Sequence, residues 1–112
     1  MKKTITNILK DYGASANYRG YHYLRYGIEL MVKDMTLITA ICKKLYPAIA
    51  KEFNVSWQTV ERAIRHVIEI GWNRGNIETK EKLFGYRMKF PPTNAEFMAA
   101  IADYILLESE GK

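Results

Sequence analysis

The stretch from Pro47 to Trp72 constrains this chain most, because its residues are spaced as two helices meeting at a tight corner. Asn54 marks the corner, since a short polar side chain tolerates the left-handed backbone that a sharp turn needs. Four residues earlier, Ala50 is small enough for a second helix to pass close by. Val55, Val60 and Ala63 fall where the two helices must pack together. Ser56 is placed to cap the second helix, its hydroxyl accepting an orphan backbone N–H. Val55 and Val60 can close a hydrophobic staple across that cap. The spacing predicts a helix-turn-helix over 47–72.

At about 100° per residue, the second helix divides cleanly into two faces. Val60, Ala63, Ile64, Val67, Ile68, Ile70 and Gly71 share one side, and Gln58, Glu61, Arg62, Arg65, His66 and Glu69 the other. Gln58, Arg62 and Arg65 lie in the first turns, the part of a recognition helix that reaches base edges. A solvated amphipathic helix has the same periodicity. The turn before it is what favours a nucleic-acid reader.

Charge supports a polyanion partner. The net charge is +5, and sixteen of the seventeen Lys and Arg fall within residues 1 to 89. With eight acids, that body carries +8, whereas residues 90 to 112 carry −3. A basic body draws DNA or RNA by long-range attraction. With 112 residues and 48% hydrophobic content, a single domain with a modest core is expected. No apolar run approaches the roughly 20 residues of a membrane span, and the N-terminus does not read as a secretory signal. The single cysteine, Cys42, rules out an internal disulfide and suits a cytoplasmic location. Its apolar neighbourhood makes it an expected core thiol.

The remaining segments also read as helices. Lys3 to Tyr12 forms a first one, with Ile5, Ile8 and Leu9 inward and Gly13 as its stop. Tyr18 to Val32 comes next, with Tyr21, Leu24, Ile28 and Met31 at core spacing. Gly20 and Gly27 each cost about 1 kcal/mol there relative to Ala, which close approach to a neighbour or a phosphate would justify. Asp34 or Thr36 can cap a third helix whose apolar side is Leu37, Ile38, Ile41, Cys42 and Leu45. Pro47 suits the first turn of a new helix, running to Phe53. The helix from Trp57 is expected to end near Trp72, and Asn76 to cap a short one, Ile77 to Phe84, stopped by Gly85. Residues 86–92 cannot be helical through two adjacent prolines. Thr93 to Glu96 has capping-box spacing, opening a last helix to Glu108 with Phe97, Ile101, Tyr104 and Ile105 inward. The expected fold is all-α, about six helices.

Catalytic chemistry finds no support. His22 and His66 have no ligand partners at metal spacing, and there is no phosphate-cradling glycine loop or nucleophile elbow. No metal, cofactor or enzyme activity is expected. Four of the eight tyrosines fall between Tyr18 and Tyr26, where helical spacing favours packing and phosphate-directed hydroxyls over stacking on single-stranded bases.

Several stretches together resemble one family. RGYHYLR (Arg19 to Arg25), LYPAIAKEFN (Leu45 to Asn54), VERAIRHVIEIGW (Val60 to Trp72), RGNIE (Arg74 to Glu78), LFGY (Leu83 to Tyr86) and PTNAEF (Pro92 to Phe97) are similar to the C-terminal DNA-binding domain of the stage-zero A sporulation response regulators. The resemblance runs from about Ile5 to Glu108. It implies a six-helix effector domain that lays its recognition helix in the major groove of a promoter box. Glu61, Arg62 and Arg65 match the family's base-contacting positions. Arg can fork onto guanine O6 and N7, and Glu can accept from cytosine N4. His66 matches a position near the DNA backbone.

From charge and location, Arg19, Lys51 and Arg74 are further phosphate candidates. At Trp57, Gln58 and Thr59 the chain departs from the family pattern, so a shifted box or a lower affinity is expected; Gln58 is expected at a base, from its place on the polar face, and Thr59 at the DNA backbone. The surface from Asn76 to Tyr86, with Glu78, Lys80 and Lys82, resembles the one the family turns to the sigma subunit of RNA polymerase. This sequence includes no receiver domain and no phosphoacceptor aspartate. It is either an excised domain or a natural receiver-less relative. A monomer in solution, pairing head to tail on tandem boxes, is the expectation. So is a cytoplasmic, nucleoid-associated location in a spore-forming bacterium. The competing reading is a protein-interaction module that binds a sigma factor or a full-length regulator without reading DNA.

Overall fold

Around one central helix, Arg19–Lys33, the others are packed. The computed structural model describes residues 2–85 and 89–110. In chain order the α-helices are α1 (Lys2–Tyr12), α2 (Arg19–Lys33), α3 (Tyr46–Phe53), α4 (Trp57–Arg74), α5 (Ile77–Phe84) and α6 (Asn94–Glu110). Every regular element among the described residues is helical, as the periodicity predicts. α2 packs against α1, α3, α4 and α6. Its predicted inward residues, Tyr21, Leu24, Ile28 and Met31, are all buried. Its two glycines are explained by close approach to protein: a Cβ on Gly20 would run into the carbonyl oxygen of Ala63 in α4, and one on Gly27 into Ile49 of α3. Tyr21 and Tyr23 are buried, and Tyr18 and Tyr26 pack against the core, so this tyrosine cluster is packing.

The segment between α2 and α3 departs from expectation. Asp34 does cap it, accepting from the Thr36 N–H at 3.1 Å, but the capped turn is 3₁₀, Met35–Thr39, rather than α-helical. Ala40 breaks the run, and Ile41–Leu45 winds as a π-helix straight into α3. In that winding the Leu45 N–H reaches back five residues to the Ala40 carbonyl at 3.2 Å. The wider i→i+5 turn buries Ile41 and Leu45 and rotates Cys42 out to solvent. Cys42 is therefore an exposed thiol and not the core residue its apolar neighbours suggest.

The motif itself forms as its spacing predicts. Pro47 sits in the first turn of α3. Asn54 is left-handed at φ 55°, ψ 50°, and the Val55 N–H closes the corner on the Ala50 carbonyl at 3.0 Å. Among the described non-glycine residues only Asn54 has a positive φ. Asn54→Ala is expected to cost about 1 kcal/mol of stability and Asn54→Gly close to nothing, as read by denaturant unfolding; equal costs would show that the side chain, not the backbone, holds the corner.

α4 is two residues longer than expected. Nothing at Asn73 or Arg74 breaks a helix, and it ends only where the Gly75 N–H meets the Gly71 carbonyl at 2.9 Å. α6 opens on a reciprocal capping box, Thr93 N–H to Glu96 Oε1 at 2.9 Å and Glu96 N–H to Thr93 Oγ1 at 3.1 Å.

Candidate nucleic-acid interface

α4 presents its first turns outward because its start is fixed twice. The Thr59 N–H donates to Ser56 Oγ at 3.1 Å, and Val60, Ile64, Val67 and Ile68 are buried on the inner side. That leaves Gln58, Arg62, Arg65 and Glu69 exposed along one outer face, with His66 and Thr59 at one edge. Thr59 hydrogen-bonds Ser56 through its hydroxyl at 2.9 Å, so this side chain serves the cap.

Glu61 lies at the other edge. One turn on, Arg65 Nη2 donates to both of its carboxylate oxygens, with 2.7 Å to Oε2. The pair is unequal: Arg65 is 59% exposed and Glu61 21%. Glu61 leans into a groove shared with Tyr46, Cys42, Pro92 and Asn94. Two of the four residues expected at bases thus form one unit, in which the carboxylate orients the guanidinium. Arg62 is exposed on the outer face and can fork onto a base edge.

The expected phosphate contacts divide. Tyr18, at the start of α2, meets the His66 ring edge-on with centroids 5.8 Å apart. Arg19 is next to it, exposed, and borders a shallow groove with His22, Tyr23, Phe53 and Val55 beside the motif's corner. Lys51 is exposed on α3. Arg74 is exposed at the far end of α4, sixteen residues beyond Gln58, about 24 Å along the helix axis.

α5 is capped by Asn76, whose Oδ1 accepts from the Glu78 and Thr79 N–H groups at 2.8 and 3.4 Å. Glu78 and Lys82 are exposed. Lys82 lies over the Tyr104 ring, and a hydrogen bond to that hydroxyl holds its ammonium above the usual lysine range. Lys80 turns inward instead. Its ammonium bonds the Trp72 carbonyl and sits over the Trp72 and Tyr12 rings at 5.4 and 5.8 Å. Partial burial pushes its pKa down. It pins α5 to the core rather than offering a free charge. Tyr86, also expected on this surface, lies outside the described residues.

Some residues in and beside the motif escape a reading of periodicity. Lys43 and Lys44 are exposed on the π-helix that leads into α3. Trp57 is 47% exposed at the first position of α4. Asn94, which the sequence places only within a cap, is buried and bonds the recognition helix itself. Adjacent lysines before a motif's first helix are a usable signal for the first pair; a long-range amide bond has none. Among the described residues no three His, Cys, Asp or Glu gather to hold a metal ion, and no helix is long and apolar enough to cross a membrane. Compared with known families, residues 5–105 match the one described as sporulation initiation factor Spo0A C terminal.

Proposed function

The chain belongs to the family of the sporulation initiation factor Spo0A C-terminal domain, a helical DNA-binding domain of transcription regulators, and from that premise we propose that it reads specific double-stranded sites with the outer face of α4. One observation carries the reading. A capped helix exposes Gln58, Arg62 and Arg65 on one face, with the imidazole of His66 at its edge and the cations Arg19 and Lys51 exposed on the neighbouring helices α2 and α3. In the proposed complex, Arg62 and Arg65 fork onto guanine edges, Gln58 reads a neighbouring base, and Glu61 serves chiefly to orient Arg65. His66, Arg19 and Lys51 take phosphates. The chain acts as a monomer that pairs head to tail on tandem promoter boxes in the nucleoid of a spore-forming cell. The exposed side of α5, Asn76, Glu78 and Lys82, is the face proposed for the polymerase sigma subunit.

Selection of bound sequences from a random duplex pool is the first test. Arg62→Ala and Arg65→Ala are then each expected to lose about 1–3 kcal/mol on the selected duplex, with a much smaller loss on scrambled duplex. Equal losses on both would overturn direct readout. The logarithm of the binding constant should fall linearly with the logarithm of salt, by about 0.9 for each phosphate neutralised. Failure to retard any duplex at low salt would leave the protein-interaction reading in its place.

A further inference from the structure

We infer that Asn94 is a positioning residue for sequence reading: from the first turn of α6 it fixes the recognition helix at Glu61 against α3, and so sets the angle at which the Glu61–Arg65 unit meets DNA. The inference rests on the DNA-reading function proposed for α4.

The bonding pattern is the starting point. Asn94 is 9% exposed. Its Nδ2 donates to the Glu61 main-chain carbonyl at 3.0 Å and to Tyr46 Oη at 3.0 Å. A carbonyl oxygen only accepts, so the nitrogen side of the amide must be the one facing Glu61. An amide nitrogen carries two hydrogens, and these two acceptors use both. Neither bond serves α6 itself, because Thr93 and Glu96 already cap that helix reciprocally. Both hydrogens of the buried amide nitrogen are therefore spent on joining α6 to the start of α3 and to the recognition helix.

Where it grips matters. Glu61 is the residue whose carboxylate holds Arg65, and its carbonyl retains a second lone pair beyond the helical bond. Tyr46, the other acceptor, is 4% exposed at the first position of α3. Both helices of the motif are thus held by one side chain, at the height of the paired residues. A reading group must be kept within about 0.5 Å of its working position by the groups behind it. Losing the amide frees α4 to roll at Glu61, and Arg65 with it.

Three variants test this: Asn94→Leu, which fills the space without donors; Tyr46→Phe, which removes one acceptor; and Asn94→Leu combined with Arg65→Ala. Each is titrated against the duplex the wild-type chain selects and against a scrambled duplex of equal length, with thermal unfolding as the check on folding. Asn94→Leu is expected to lower the preference for the selected duplex about tenfold, within the range of one good base contact. Tyr46→Phe should lower it about threefold, half of that in free energy. Binding to scrambled duplex and the salt slope should hold. In the Arg65→Ala background Asn94→Leu should cost less than in the wild-type chain, because residues acting as one unit are not additive. A wild-type preference in folded Asn94→Leu, equal losses on both duplexes, or full additivity with Arg65→Ala would each overturn the inference. Should Asn94→Leu fail to fold, an unchanged preference in Tyr46→Phe overturns it instead. A wild-type chain with no preference at all would remove the DNA-reading function and this inference together.

Discussion

Gly20→Ala is expected to lower the unfolding free energy by about 3 kcal/mol, at the upper end for overpacking a core, and to weaken DNA binding with it. Helix propensity predicts the opposite sign, since Ala inside a helix gains about 1 kcal/mol over Gly. Contact geometry decides against propensity. A Cβ on Gly20 would overlap the Ala63 carbonyl oxygen and carbon and crowd a methyl of Val67. Two of those atoms are backbone and cannot swing aside, so α2 and α4 must separate. The start of α2, with Tyr18 against His66 and Arg19 exposed beside the corner, would move away from the outer face of α4. Denaturant titration measures the first effect and duplex titration the second. A neutral or stabilised Gly20→Ala would mean that the two helices do not touch at Ala63.

Tyr12→Ala is expected to cost about 4 kcal/mol, the usual range for removing a large buried aromatic. The Tyr12 ring is fully buried and meets Phe97 and Phe84 edge-on, at centroid distances of 4.6 and 6.3 Å. It also lies over Gly71, where a Cβ would strike the ring. Its hydroxyl donates to the Ile68 carbonyl in the middle of α4 at 2.7 Å, and burial raises its pKa far above the working range, so it remains a donor. Tyr12→Phe keeps the ring and loses that bond, at about 1 kcal/mol. Thermal unfolding of both variants separates the contributions. If Phe costs as much as Ala, the hydrogen bond and not the packing holds α1 to α4.

The elements legible in the chain are those whose cause is local. Asn54, Ser56 and the apolar stripe from Val60 to Gly71 act within a few residues of themselves, so spacing alone finds the corner, the cap and the buried face. The π-winding at Ile41–Leu45 is different. Its apolar residues suit an α-helix as well, and only the break at Ala40 and the fixed start of α3 select the wider turn. Cys42 faces solvent for that reason, against the expectation of a core thiol. Lys80 looks like a surface charge on a short polar helix, yet two aromatic rings and a carbonyl from other segments draw it in. Asn94 sits inside a capping-box signature that explains it locally, while its bonds run to residues thirty-three and forty-eight positions away. The Glu61–Arg65 pair is legible as an i, i+4 spacing, but its unequal exposure depends on the groove beside α6.

α4 is touched from three directions within a short span. Asn94 holds it at Glu61, Gly20 lies against Ala63, and Tyr12 reaches Ile68. Those points span eight residues, about 10 Å of helix. A rod pressed from α6, α2 and α1 in that length can neither slide, tilt nor spin without breaking one of the three. The entropy of orienting it is lost during folding and not again on meeting a partner. For a duplex approaching this face, the freedom left to settle lies in the side-chain torsions of Gln58, Arg62 and Arg65. Under the proposed function, discrimination between sites is a choice among rotamers on a stationary backbone.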